Sequence, residues 1–324
     1  MRRLARFLGP LLLAAAAILL PFAVGAYPLA VARTVLVYMA LALSWDILVR
    51  SGQISFGIAG FFGLGAYASV LADLHASLSP VLSILAAGAA AALVAAFLGL
   101  AILRLRATYF SITTLALAEI FRVVIHNGGD FTGGAEGVVL PKPIFGGDSR
   151  QLYWLALGAV LLACLCSLVF QKTRLRLALT AIRNDETAAK SNGIHIFKYL
   201  MVAFAASSFI QGIVGGIQVQ SLGFATPESV FDPNYTLLPL AMALLGGIYS
   251  TPGPVLGAML LGVAAEFLKL KIPYGHLVVY GIIIVLVILF MPRGLFGLAR
   301  PDRPSAAKAR SLLRKGGGEG SSRA

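Results

Sequence analysis

Long, continuous apolar runs recur along the whole chain, and they limit its possible folds more than any other feature. A helix that crosses a bilayer needs about 20 mostly apolar residues, and runs of that size follow one another through most of the sequence. They do not alternate with polar residues, as the strands of a membrane barrel would. Only 12% of the 324 residues are charged, whereas about a quarter are charged in soluble domains. We therefore predict an all-α, polytopic transmembrane helix bundle.

Ten apolar segments set the number of crossings, for which we expect eight to ten and favour ten. The segment from Gly52 is rich in glycine and predicts a broken or re-entrant element, and the segment from Tyr235 is short for a span. The basic N-terminus and first apolar run resemble a signal peptide, but another apolar run follows at once, which favours a retained helix. The segments are Leu8–Tyr27, Leu29–Val49, Gly52–Ala72, Pro80–Leu103, Thr108–His126, Leu152–Gln171, Tyr199–Leu222, Tyr235–Ile248, Pro254–Leu270 and Leu277–Met291.

The basic residues indicate which side of the membrane each loop faces. Ten spans that start inside place 20 of the 26 Lys and Arg in the cytoplasm and four outside, in agreement with the positive-inside rule. Both termini are therefore predicted to be cytoplasmic. This topology accounts for the net charge of +13, so we expect no nucleic-acid partner. We predict a transmembrane domain over residues 1–298 and a basic, disordered tail over 299–324 near anionic membrane lipid.

The sequence lacks the signatures of several enzyme classes. It has no Gly-Lys dipeptide and hence no Walker A loop for ATP hydrolysis. Its four histidines lie far apart, without the spacing of metal ligands, and we expect no metal and no cofactor in this chain. A secondary transporter would show midplane ionisable residues and paired repeats, and a membrane-embedded enzyme would need a cluster of titratable residues. Neither feature is clear, and both classes are kept as alternatives.

The long inner loop over residues 172–198 is too polar to cross a membrane and is patterned like two short helices. Apolar and small residues recur at helical spacing on both sides of its centre. Asn184 or Asp185 could cap the second helix by accepting from free backbone N–H groups. Gly193 offers a left-handed position at which this helix can stop. Small residues would let a partner's surface approach closely; the alternative is a solvated basic loop that only sets topology.

The loop sequence LALTAIRNDETAAKSNGI resembles the EAA loop of ABC importer permeases, in the version of the high-affinity branched-chain amino acid family (LivH/LivM type, closer to LivM). Further similar segments follow in the family's order: GQISFGIAGFFGLGAY, then YFSITTLALAEIFR with TGGAEG, then LLGGIYSTPGPVLG and MPRGLFG. The resemblance covers residues 30–297. The chain departs from it at Asp46, where an amide is expected, at Ile58, and at Ala135 and Glu136. We expect these positions to lie near the translocation pathway. The departures therefore concern the identity of the substrate more than the class of transporter.

The resemblance implies a permease subunit of the bacterial inner membrane, with no enzymatic activity of its own. It implies a second, related permease subunit, two cytoplasmic ATPases that bind the ATP, and a periplasmic substrate-binding protein. The implied substrates are leucine, isoleucine and valine; urea, an amide or another amino acid is the alternative. The residues implied to couple the chain to the ATPases are Ala181, Arg183, Asp185, Glu186, Ala188, Ala189 and Gly193.

Two other groups of residues are candidate functional positions. Glycines around Gly57 permit close packing or unwound backbone, and neighbouring polar side chains would line a pathway. Glu119 and Arg122 are three residues apart on one helix face, which predicts a structural ion pair. The outer loop 127–151 would face the periplasmic partner or form a flexible connection. The candidate pathway residues are Gln53, Ser55, Gly57, Thr132, Gly133 and Gly134.

Overall fold

The computed structural model describes residues 17–105, 107–141 and 144–271, together with a few positions between 278 and 295. Helices make up most of these ranges. In chain order the α-helices are α1 Ala26–Val49, α2 Ile58–Ala76, α3 Pro80–Ile102, α4 Ala107–His126, α5 Ser149–Lys172, α6 Arg174–Asn184, α7 Glu186–Ser191, α8 Ile196–Leu222, α9 Pro227–Val230, α10 Asn234–Gly246 and α11 Pro252–Lys271. Two 3-10 turns, Gly129–Phe131 and Ile144–Gly147, and two short strands, β1 Val138–Val139 and β2 Phe224–Ala225, complete the description.

Seven helices in the described ranges are long and apolar enough to cross a membrane, namely α1, α2, α3, α4, α5, α8 and α11. This confirms the predicted polytopic helical bundle. Helix α10 has 13 residues, which is short for a span, as its sequence indicated. The first predicted segment is described only from residue 17, and most of Leu277–Met291 lies outside the described residues. The count of ten crossings and the placement of both termini therefore stay predictions, as does the tail over 299–324.

The glycine-rich segment from Gly52 is not helical at its start, so the predicted span Gly52–Ala72 needs a correction. The chain leaves α1 through a turn at Ser51–Gly52, runs without regular structure to Gly57, and enters α2 only at Ile58. The helix then continues to Ala76, four residues beyond the predicted end. This confirms the prediction of a broken element: an unwound stretch comes first and a spanning helix follows.

The centre of the bundle is formed by α8, which packs against α2, α3 and α1. Large apolar side chains such as Trp45, Phe61 and Phe204 are almost fully buried there. A Cβ atom on Gly65 of α2 would overlap the backbone of Gly212 on α8. Glycine at this crossing therefore lets the two backbones touch, as in other closely packed membrane helices.

A two-stranded antiparallel ladder is the one departure from a purely helical fold within the described residues. β1 pairs with β2, with Val138 opposite Ala225 and Val139 opposite Phe224. The ladder connects the loop after α4 to the segment that follows α8. Each strand has only two residues, too few for a periodic pattern to reveal in the sequence.

Candidate coupling loop and translocation site

The loop over residues 172–198 forms two short helices, α6 and α7, as its pattern predicts. Asp185 lies between them in an extended conformation, and its Oδ1 accepts a hydrogen bond from the backbone N–H of Ala188 at 3.0 Å. Of the two residues proposed as the cap, Asp185 is therefore the residue that caps the N-terminus of α7. Gly193 adopts the left-handed conformation, with φ +76°, just after α7. The helix–cap–helix interpretation of this segment is confirmed.

The loop buries one face against the bundle and exposes the other. Asp185, Glu186, Ala188 and Gly193 are exposed, and a Cβ atom on Gly193 would meet no atom of the described chain within 4 Å. Ala189 is only 3% exposed, because neighbouring residues on a helix point in different directions. Ala189 therefore packs toward its own bundle and not on the exposed face of α7, and its implied part in coupling to the ATPases stays a prediction.

Arg183 connects the loop to another part of the molecule. Its guanidinium carbon lies 3.9 Å from the centre of the Tyr249 ring, in cation–π contact. Tyr249 belongs to the turn between α10 and α11. Ala181, one turn before the cap, is half-buried on α6. Tyr249 cannot be recognised from the sequence, because its contact with Arg183 depends on tertiary structure.

The unwound segment that contains Gln53 and Ser55 is held by side chains from three helices. Trp45 Nε1 donates to the carbonyl of Ser55 at 2.9 Å, and Ser111 Oγ donates to the carbonyl of Ile54 at 2.5 Å. Thr114 Oγ1 accepts from the N–H of Phe56 at 3.1 Å, and Thr236 Oγ1 accepts from the N–H of Ala59 at 3.0 Å. Non-helical backbone is tolerated at membrane depth only where such partners replace water.

The same segment contains a buried polar atom that is not paired within the described residues. Gln53 Oε1 is buried and has no hydrogen-bond partner within the described part of the chain. Ile54 is 41% exposed beside it. Gly57 lies against α4, where a Cβ atom would come within 2.9 Å of the carbonyl oxygen of Thr114. The glycine therefore permits the close approach of α4 to the unwound segment.

The second group of predicted pathway residues lies at the opposite end of α4. Thr132 is buried, and its Oγ1 donates to the carbonyl of Ile125 at 2.6 Å. Gly133 and Gly134 have φ values of +71° and +55° and form a tight turn beyond the helix. Ser111, which contacts the unwound segment, is about 20 Å from His126 along the helix axis, given the rise per residue. The structure therefore does not bring the two groups together.

Glu119 and Arg122 are paired on α4, with Arg122 Nε donating to both carboxylate oxygens at 3.0 and 3.1 Å. Their side chains are 60% and 34% exposed, respectively. Arg122 Nη1 also lies 4.0 Å from Glu228 on α9. The pair thus faces outward from this chain, although intramembrane charges usually face a bundle interior or water. Its structural role in the assembled protein stays a prediction.

The departures from the resembled family lie in two different parts of the molecule. Asp46 and Ile58 are both 0% exposed, and Asp46 forms an ion pair with Arg50 across 2.7 Å. Ala135 and Glu136 are exposed in the outer loop. The expectation that these positions lie near the pathway stays a prediction. Opposite charges four apart on α1 are the sequence signal that would have revealed the buried pair.

Comparison with known proteins supports the same class. A family model described as branched-chain amino acid transport system, permease component, matches residues 27–288. The chain is 31% identical over 312 residues to the high-affinity branched-chain amino acid transport system permease protein LivM of Escherichia coli K12, covering 87% of this chain and 73% of that protein. It is 25% identical to the permease protein LivH of the same organism, covering 56% and 61%. No solved structure matches the chain.

A third relative is the guanosine ABC transporter permease protein NupQ of Bacillus subtilis, 27% identical over 66% of this chain and 73% of that protein. The helical bundle and the capped loop at one end define the class, which is a multi-pass membrane permease of the inner membrane. The chain belongs to the family of branched-chain amino acid transport system permease components. Because the chain belongs to this family, the alternative of a secondary transporter is set aside.

Proposed function

We propose that this chain is the permease subunit of an ATP-driven importer that moves leucine, isoleucine and valine across the inner membrane. Separate ATPase subunits bind the ATP, a related permease completes the pore, and a periplasmic protein delivers the substrate. This chain supplies the membrane passage and the ATPase-docking loop, and it has no enzymatic activity or cofactor of its own. Family membership and 31% identity to LivM support the transport role and the substrate.

The observation that carries the proposal is the exposed face of the α6–α7 loop. Asp185 caps the start of α7 through its bond to Ala188, while the buried Ala189 packs α7 toward the bundle. Ala188, with only a methyl group, and Gly193, with no side chain, are then exposed without cover from the described chain. Small residues held in place in this way are suited to docking, because little conformational entropy is lost on binding.

The second permease subunit is proposed to cover the outward face of α4. This helix packs mainly on α2 and α9, and only 11% of its most apolar stretch is buried. Its face carries the exposed charges of Glu119 and Arg122, which are costly against lipid tails. A related permease or a water-lined cavity shared with it would remove that cost. Two permease proteins of Escherichia coli, LivM and LivH, both match this chain, which supports a pair of related subunits.

The solute path is proposed to run along the unwound segment beside α4. Gln53 Oε1 and the exposed Ile54 offer one polar and one apolar surface there, which suits a zwitterion with an apolar side chain. Thr132, Gly133 and Gly134 lie at the other end of α4 and are proposed to face the periplasmic protein. The alternative is another small solute: urea, an amide or another amino acid. The similarity to a guanosine permease adds guanosine to this alternative.

Docking of the ATPases is tested by co-purification with the detergent-solubilised permease pair. Ala188→Arg puts a charge on the exposed face of α7, and we expect about a tenfold loss of bound ATPase, equivalent to 1.4 kcal/mol. Ala188→Ser keeps a small side chain there and should retain binding. Ala135→Arg makes the same change in the exposed outer loop and should also retain it. Full ATPase recovery with Ala188→Arg would show that the loop does not dock.

A further inference from the structure

A short series of contacts joins the exposed α6–α7 loop to a buried carboxylate near the end of α1. Arg183 on α6 stacks on the ring of Tyr249, in the turn between α10 and α11, at 3.9 Å. The backbone N–H of Tyr249 donates to Asp46 Oδ1 at 2.6 Å. Asp46 is on α1 and is 0% exposed. Two contacts therefore connect the surface loop to a buried carboxylate.

Asp46 in turn connects the ends of two spanning helices. Its Oδ2 accepts from Nε and Nη2 of Arg50 at 3.0 and 2.7 Å. Arg50 Nη1 donates to the carbonyl of Ser167 on α5 at 2.9 Å, and Nη2 donates to Ser167 Oγ at 2.7 Å. Ser167 Oγ lies 2.8 Å from Thr251 Oγ1, back in the α10–α11 turn. The carboxylate thus fixes α1, α5 and this turn to one another.

Tyr249 holds an unusual backbone conformation at this junction. Its φ is +68°, in the left-handed region that bulky residues seldom occupy. Such conformations persist where surrounding contacts over-determine them, and they concentrate in segments that switch between arrangements. Here the hydrogen bond to Asp46 and the stacking of Arg183 are the contacts that hold the residue. Loss of either contact would favour a different conformation of the turn.

We propose that Tyr249 is a positioning residue that transmits movement of the α6–α7 loop to α1, α5 and the α10–α11 turn. The inference rests on the proposed function, in which ATPases move that loop. Arg183 packs closely on the turn after α1, since a Cβ atom added at Gly52 would lie only 3.2 Å from Arg183 Cγ. Movement of α6 therefore shifts the guanidinium across the Tyr249 ring. The turn follows, and its hydrogen bond to Asp46 carries the shift to the helix ends.

The test measures substrate moved per ATP hydrolysed by the complete complex in proteoliposomes, containing both permeases, the ATPases and the binding protein. Tyr249→Leu removes the aromatic face but keeps the backbone N–H, and Tyr249→Phe keeps both. We expect Tyr249→Leu to lower the ratio at least about fivefold, the lower range of allosteric coupling, with ATPase recovery unchanged. Tyr249→Phe should keep the wild-type ratio. Tyr27→Leu, at an exposed tyrosine near the start of α1, is the matched control.

A double-mutant cycle adds a measurement that general destabilisation would not reproduce. Arg183→Leu should lower the ratio as Tyr249→Leu does, Arg183→Lys should preserve much of it, and the double leucine variant should be no worse than either single one. Additive losses would overturn the relay, as would an unchanged ratio in Tyr249→Leu. Loss of ATPase binding in Tyr249→Leu would also overturn it, because Tyr249 would then be a docking residue. A wild-type complex that neither binds ATPase nor transports would overturn the proposed function itself.

Discussion

Arg50 donates to Asp46 across 2.7 Å, one helical turn apart on α1, and the two side chains are 8% and 0% exposed, respectively. A buried ion pair is stable only while both partners are present and their remaining polar atoms are bonded. The second carboxylate oxygen is bonded to Tyr249, and the remaining guanidinium donors reach Ser167. The pair therefore belongs to the architecture of the bundle.

Removing only the cation from this pair should destabilise the bundle strongly. Arg50→Met leaves the Asp46 carboxylate buried without a counter-charge, which costs about 3–5 kcal/mol in comparable sites. The double change Arg50→Met with Asp46→Asn should cost less than Arg50→Met alone. Melting temperatures measured in detergent rank the stabilities of these variants. Lys269→Met breaks the more exposed Lys269–Glu266 pair and should cost at most about 1 kcal/mol. Equal melting temperatures for Arg50→Met and Lys269→Met would contradict the assignment.

The α2–α8 crossing should not tolerate a methyl group at Gly65. The added Cβ would overlap the backbone of Gly212, and such overpacking costs about 1–3 kcal/mol. Gly65→Ala should therefore lower the melting temperature or the yield of monodisperse protein. A methyl group added at Gly158 on α5 would meet no atom of the described residues within 4 Å, so Gly158→Ala is the matched control. A Gly65→Ala protein as stable as Gly158→Ala would refute the close crossing.

Removal of the cap at Asp185 should loosen α7 without unfolding the bundle. Asp185→Ala deletes the acceptor for the N–H of Ala188, a change that costs about 0.5–2 kcal/mol at helix N-termini. Hydrogen exchange at Ala188 should accelerate, and less ATPase should co-purify. Asp185→Asn retains an oxygen acceptor and should behave like the wild type. Unchanged exchange in Asp185→Ala would mean that α7 is held by other contacts alone.

The Glu119–Arg122 pair should respond to charge reversal as a unit. Glu119→Arg leaves two cations one turn apart on the outward face of α4, and Arg122→Glu leaves two anions there. Each single change should reduce recovery of the second permease and transport, because unpaired charge is costly in the membrane. The exchanged pair should restore most of both. If the exchange restores neither, then the two residues do not act as a pair.

Much of the fold could be predicted from the sequence, because lipid requires long apolar runs and helix ends require particular residues. The spans and the cap at Asp185 follow from these local rules. The outward direction of Ala188 and the burial of Ala189 do not, since packing against the bundle orients a six-residue helix. The bond between Tyr249 and Asp46 joins residues 203 positions apart. Contacts of that kind leave no periodic signal in one sequence.

The central claim is tested most directly by uptake of labelled leucine into proteoliposomes that contain this chain, a related permease and the two ATPases, with the binding protein added outside. Uptake should require ATP inside the vesicles, should fall with Ala188→Arg, and should be inhibited by isoleucine and valine. Guanosine, urea and an amide are tested as competing substrates under the same conditions. Uptake of one of these instead of leucine would contradict the proposed substrate. Leucine uptake that persists without ATP or with Ala188→Arg would contradict the importer mechanism.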